Sequence, residues 1–189
     1  MHLIIYGPEG SGKGTQAQIL SRELNLPVLT SGDLVRKAAE MNNRIGRICR
    51  LALESGSYVQ DDIMYQLWRD KLKEPQSKKG FILDGFPRNI NQAEFLVSYV
   101  DKIGYAIDKF IYLNISDNEA YDRLIIRKRK LFPGSRISHD TPGRIRKRLK
   151  EYRQMEQELV NYFKNLGILL QVEGNRSVEE VSQAILDFL

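Results

Sequence analysis

The stretch Gly7-Pro8-Glu9-Gly10-Ser11-Gly12-Lys13-Gly14-Thr15-Gln16 constrains this chain more than any other. It follows a short apolar run, Met1–Tyr6, and precedes a pattern in which Ala17, Leu20 and Leu24 recur at helical spacing. A strand, a glycine-rich turn and a helix start, in that order, make a cradle for an anion. The glycines let the backbone curl so that its N–H groups point inward. The helix adds its unpaired donors and the positive end of its dipole, and Lys13 adds a mobile point charge. The general phosphate-loop pattern is Gly, four residues, Gly, Lys, then Ser or Thr. Here Gly14 follows Lys13, and the hydroxyl arrives at Thr15. The alternative, an ordinary glycine-rich turn, leaves the lysine at the helix start unexplained.

Five apolar runs read as strands: Leu3–Tyr6, Val28–Thr30, Phe81–Asp84, Phe110–Ile115 and Ile168–Val172. Most are continuous rather than alternating, as in a parallel sheet covered on both faces. Helical patterns separate them, with one apolar stripe at Ile63, Met64, Leu67, Trp68 and Leu72 and another at Val178, Val181 and Ile185. Asn91/Glu94, Ser116/Glu119 and Ser177/Glu180 have the spacing of reciprocal helix caps. Thr141-Pro142 reads as the start of a long helix reaching about Asn165. The expected architecture is α/β: a five-stranded parallel sheet, helices on both faces, and ligands beyond the carboxyl ends of the strands.

A chain of 189 residues accommodates one domain with small excursions. Two segments fit the sheet poorly: 31–60, with two short helices, and 128–140, which is basic and holds a Pro133-Gly134-Ser135 turn. The single cysteine, Cys49, excludes a disulfide framework and a Cys-rich zinc site, so no zinc is expected. A reducing cytoplasm fits. The first strand begins at once, so no signal peptide is expected, and no run approaches the ~20 apolar residues of a membrane span. From Arg123 to Arg153 there are twelve Lys or Arg against two acids, although the whole chain carries only +5. One basic arm on a mildly acidic body suits a concentrated anion such as a polyphosphate.

Thr30-Ser31-Gly32-Asp33-Leu34-Val35-Arg36 offers a hydroxyl at a helix start and an arginine one turn on, equally the pattern of a plain Ser cap with a solvated arginine. Asp84 ends an apolar strand, where a carboxylate is costly. Beside a phosphate loop, that position can hold the waters around Mg²⁺. Arg88 follows a stiff turn at Pro87, and Arg123/Arg127 and Arg144/Arg148 are pairs on single helix faces.

Five motifs, at 7–16, 31–36, 56–61, 81–92 and 122–127, resemble the adenylate kinases of the short-lid kind over essentially the whole chain. Arg148 and the loop Glu173-Gly174-Asn175-Arg176 support the match. The resemblance implies a P-loop nucleoside monophosphate kinase that moves a phosphoryl group from MgATP to AMP, giving two ADP. Gly10, Ser11, Gly12, Lys13, Gly14 and Thr15 would cradle the ATP phosphates. Arg123, Gly174 and Arg176 would border its adenine. Ser31, Arg36, Gly85, Phe86, Pro87, Arg88 and Gln92 would hold AMP, with the Ser57-Tyr58-Val59 backbone against its base. Arg127, Arg136 and Arg148 would close on the transferring phosphate, with Lys13 and Arg88. Mg²⁺ would sit near Asp84 through water. Segment 31–60 becomes an AMP flap and 128–140 a short lid. The expected partners are these nucleotides, with no nucleic acid and no membrane, and the expected state is a cytoplasmic monomer.

Glu9 departs from the proline or glycine usual in the family, and Thr30-Ser31 inverts the usual order. Arg136 precedes Ile137-Ser138-His139-Asp140 rather than paired acids, which leaves Arg144 as a substitute for it. A UMP/CMP kinase is the nearest competing reading. Gln92 and Ser31 favour AMP, because the pyrimidine enzymes carry Asn and usually Ala there. A nucleotide-dependent nucleic-acid module is the more distant one, and the basic arm lacks the interleaved aromatics that such binding uses.

Overall fold

The computed structural model describes residues 1–127, 138 and 140–189. Among them, five strands form one parallel sheet: β1 (His2–Tyr6), β2 (Val28–Thr30), β3 (Phe81–Asp84), β4 (Lys109–Asn114) and β5 (Leu169–Glu173), in the order β2-β3-β1-β4-β5. The helices are α1 (Lys13–Leu24), α2 (Ser31–Ala39), α3 (Arg44–Ser55), α4 (Asp61–Leu72), α5 (Ile90–Lys102), α6 (Asp117–Arg127), α7 (Pro142–Asn165) and α8 (Val178–Leu186), with a 3₁₀ turn at Pro75–Lys79.

Alternate strand residues feed two cores, as the pleat requires. Ile4, Tyr6, Leu83, Phe110 and Tyr112 pack with the buried faces of α4, α5 and α7. Leu3, Ile5, Ile82, Ile111 and Val172 pack with α1 and α8. Continuous apolar runs are therefore apolar because both faces are covered, as the sequence reading expects. The α4 stripe is buried throughout, whereas Val178 is exposed and α8 packs through Val181 and Ile185. A third, smaller cluster of Ile115, Ala120, Leu124, Ile145 and Leu149 joins α6 to α7. That cluster matters for the site, because these two helices carry three of the candidate arginines.

Helix ends refine the sequence reading. The reciprocal cap at Ser177/Glu180 is present. Ser116 Oγ accepts from Glu119 N–H, but Arg123 takes the Glu119 carboxylate. The α5 cap is Asn89, not Asn91: Asn89 is extended and accepts from Gln92 N–H, which leaves Asn91 inside the first turn. Helix α2 is capped by Thr30, which frees the Ser31 hydroxyl for another role. Helix α7 starts at Pro142 and ends at Asn165. The segment read as 31–60 contains α2 and α3. Of 128–140, only Ser138 and Asp140 lie within the described residues, so Arg136 lies outside them. Among the described residues, no helix is long and apolar enough to cross a membrane.

Candidate active site

The carboxyl ends of β1, β3 and β4 are neighbours, and the loops that leave them bring together residues far apart in sequence. The loop after β1 is held by close approach. A Cβ on Gly7 would stand 2.5 Å from Leu113 O, and one on Gly10 would stand 2.8 Å from Ala120 O. Both glycines have positive φ, as does Gly12, which caps α1 without any side-chain hydrogen bond. Backbone donors at the start of α1 therefore receive no side-chain cap. Ser11 Oγ is buried with no partner among the described residues.

Lys13 Nζ curls back over the loop, donating to Gly7 O at 2.7 Å and Pro8 O at 2.8 Å. Burial pushes its pKa down, against the pull of Asp84 and Glu9. Asp84, at the end of β3, lies 3.9 Å from where a Gly14 Cβ would be. Burial pushes its carboxyl up, against Lys13 and Arg88. A carboxylate thus borders the cradle from the neighbouring strand.

The Gly85 carbonyl ties two further elements together. It accepts from Ser31 Oγ at 2.8 Å and from Arg88 Nε at 2.8 Å. Gly85 itself has positive φ, and a Cβ there would stand 3.4 Å from Arg88 Nη2. Phe86 is buried on Trp68, with ring centroids 5.0 Å apart, and forms a cis bond to Pro87. The Arg88 guanidinium lies 4.2 Å over the exposed Tyr58 ring. Val59 is buried, whereas Ser57 is exposed and donates its N–H to Ala52 O. Gln92 is buried: its Oε1 accepts from Arg88 N–H at 2.8 Å, and its Nε2 donates to Asp61 Oδ1 at 2.6 Å. Arg36 turns back to Asp33 at 2.7 Å and stays largely exposed.

On the other side, Arg123 spans two loops, donating to Gly10 O at 3.4 Å and Gly174 O at 3.0 Å. Gly174 is pressed against Ile115, where a Cβ would stand 2.6 Å from a methyl group. Arg176 is exposed and has no hydrogen bond or ion pair among the described residues.

Arg127 and Arg148 meet at the mouth of the cradle. Arg127 donates Nε and Nη2 to the two Asp140 oxygens, both at 2.9 Å. Arg148 Nη2 reaches Asp140 Oδ1 at 2.9 Å. The Asp140 side chain is fully buried. Arg127 and Arg148 also each approach Glu9 Oε2 at 3.3 Å. Behind them, α7 is anchored by Glu156, which accepts from Tyr112 Oη at 2.6 Å, Tyr152 Oη at 2.7 Å and Arg153 Nη1. Sequence reasoning misses the roles of Asp61, Asp140 and Glu156. Asp61 meets Gln92, Asp140 meets Arg127 and Arg148, and Glu156 meets Tyr112, all on other elements, and nothing local in the chain marks these pairings.

A family model described as adenylate kinase matches residues 5–168. Adenylate kinase 1 of Nostoc sp. is 36% identical over 183 residues, covering 97% of this chain and 95% of that protein. The adenylate kinases of Bartonella bacilliformis and Brucella ovis are each 35% identical over 187 residues. These alignments cover 98% of this chain and 97% and 96% of those proteins.

Proposed function

Because this chain belongs to the adenylate kinase family, and so transfers a phosphoryl group reversibly between ATP and AMP, we propose that its two substrates meet between Lys13 and Arg88. The family favours this reaction over the pyrimidine-acceptor and nucleic-acid readings. The observation that carries the site assignment is the convergence of Arg127 and Arg148, from two helices, on one carboxylate beside the phosphate loop.

In this reading the 10–15 backbone and Lys13 hold the ATP phosphates. Arg123, Gly174 and Arg176 border the adenine. The AMP side is formed by Ser31, Arg36, the 57–59 segment and the 85–88 turn with Gln92. An AMP phosphate oxygen bonds to the γ-phosphorus as the bond to the β–γ bridging oxygen breaks, which leaves two ADP. The transition state is loose and needs positioning and charge neutralisation rather than a base. Lys13, Arg88, Arg127 and Arg148 supply that charge, and Arg136 is proposed to join them. Movement of segments 31–60 and 128–140 would exclude water.

Asp84 suits Mg²⁺ held mainly by water and phosphate oxygens. It is one carboxylate, bordering the cradle, with no hydrogen-bond partner among the described residues. The ion would supply charge neutralisation across the phosphate oxygens when bound. No group of three or more His, Cys, Asp or Glu among the described residues is placed to hold a metal alone. We further propose that the protein acts as a cytoplasmic monomer without zinc, a reading supported by its one buried free cysteine. A coupled assay for ADP tests the assignment. ADP should form from MgATP only when AMP is added, cease with a strong chelator and return with Mg²⁺. Equal or faster turnover with UMP or CMP would overturn it.

A further inference from the structure

The phosphate loop carries its own anion. Glu9 lies between Pro8, whose carbonyl receives the Lys13 ammonium, and Gly10, which packs against α6. Its Oε2 is 3.3 Å from Arg127 Nη2 and 3.3 Å from Arg148 Nη2. The Glu9 charge also reaches Lys13 and Asp84. One carboxylate therefore stands among three cations that the proposed reaction directs at polyphosphate.

Among the described residues, two carboxylates share the arginines, and they differ in kind. Asp140 is fully buried and binds Arg127 through both oxygens at 2.9 Å. Glu9 is 30% exposed, and its contacts to these two arginines are the longer 3.3 Å. A short, buried, bidentate pair is a fixed support, whereas a long, partly exposed contact is weak and exchangeable. Phosphate oxygens carry more charge than one carboxylate and suit the planar guanidinium fork better.

We propose that Glu9 sets the affinity for ATP by occupying the arginine clamp of the free enzyme and yielding it to the incoming polyphosphate. This rests on the assignment of Arg127 and Arg148 to that phosphate. The Glu9 carboxylate bridges the two guanidiniums through one oxygen and offsets their mutual repulsion while the site lacks nucleotide. It must then leave its partners and remain beside a triphosphate, which weakens binding. Because Glu9 is displaced in the ground-state complex and the transition state alike, it acts as a uniform term. Such a term moves KM and leaves kcat.

The test compares wild type with Glu9→Gln in direct binding titrations of ATP, inorganic tripolyphosphate and adenosine, and in steady-state kinetics. Glu9→Gln should bind ATP and tripolyphosphate at least about fivefold more tightly, with adenosine unchanged and kcat within about twofold. The gain should vanish in the Arg127→Ala/Arg148→Ala background. Unchanged or weaker ATP binding, an equal gain for adenosine, or a gain that survives loss of both arginines would each overturn the proposal. If Arg127→Ala/Arg148→Ala alone leaves tripolyphosphate binding and kcat at wild-type values, the arginine assignment itself fails, and the proposal with it. Glu9→Ala provides the same comparison should Glu9→Gln fold poorly.

Discussion

Gln92 donates from Nε2 to Asp61 Oδ1 across 2.6 Å, a contact between the first turns of α5 and α4. The same amide accepts at Oε1 from Arg88 N–H. These two contacts fix which end of the amide is oxygen and which is nitrogen. They use one of its two N–H groups and one of its two lone pairs. One donor and one acceptor remain, the complement of the amino and ring-nitrogen edge of adenine.

The first prediction follows from that orientation. The ratio of kcat/KM for AMP to that for UMP or CMP should be at least ~10² in wild type, because the wrong base leaves buried polar groups unpaired. Gln92→Ala should lower the ratio mainly through AMP. Asp61→Ala, which frees the amide to turn, should lower AMP kcat/KM by about tenfold without touching the nucleotide itself. Acceptor kinetics with all three monophosphates check both, and an Asp61→Ala enzyme with wild-type selectivity would contradict the positioning argument.

Lys13 provides the second. Its ammonium rests on the Gly7 and Pro8 carbonyls, poised at the lip of the loop. In the proposed reaction, charge migrates across that lip during transfer. Lys13→Met should lower kcat by at least ~10²-fold, about 2.7 kcal/mol of barrier. A raised KM with near-normal kcat would mean that the lysine binds ground state and transition state equally.

The sheet is legible in the sequence because each strand is buried on both sides, so that Phe81-Ile82-Leu83 or Leu3-Ile4-Ile5 reads as an unbroken apolar run. The phosphate loop is legible because its geometry is local, set by glycines within one turn of each other. Boundaries slip by a residue where burial fades, as at β5, which begins at Leu169 and ends at the exposed Glu173. The Asn89 cap escapes a sequence reading because two asparagines stand within three residues, and only backbone conformation separates them. Ion-pair partners are beyond reach for a different reason. Glu9 and Arg127 are 118 residues apart, and nothing in either neighbourhood specifies the other. Composition shows a basic arm; the fold brings Glu9 and Asp140 onto two of its arginines, Arg127 and Arg148.

The third prediction concerns acid. Burial lowers the His2 pKa from its ordinary value of 6.5, with the chain's N-terminal charge adding to the effect. The Ala106 and Ser77 backbone and the Asp108 carboxylate oppose it. The ring packs on Tyr105 and Phe81, at centroid distances of 4.9 and 4.6 Å. The unfolded chain therefore takes up a proton at higher pH than the folded one, and stability rises with pH across that window. The His2 contribution should be complete above pH 6.5 and lost as pH falls toward the lowered folded value. Thermal midpoints of wild type and His2→Gln measured from about pH 7.5 to 5 should show a steeper acid loss in wild type. A parallel pair of curves would mean that His2 titrates alike in both states.

Asp140 supports the fourth. Its side chain is fully buried and receives hydrogen bonds from both Arg127 and Arg148. A buried carboxylate costs desolvation energy, so removing it could relieve the fold; removing it also takes from two partly buried guanidiniums their shortest carboxylate contacts among the described residues. The second effect should win here. Arg148 is only 13% exposed and cannot turn freely to water, and replacement by alanine puts no new packing in the gap. Asp140→Ala should therefore lose about 2–3 kcal/mol in urea unfolding. It should also lower kcat, because the arginines lose the support that aims them. Asp140→Asn keeps the shape and part of the hydrogen bonding, and should fall between wild type and Asp140→Ala in both measurements. If Asp140→Ala proves as stable as wild type, desolvation of the carboxylate dominates instead, and Asp140 is retained for orienting the arginines rather than for holding the fold.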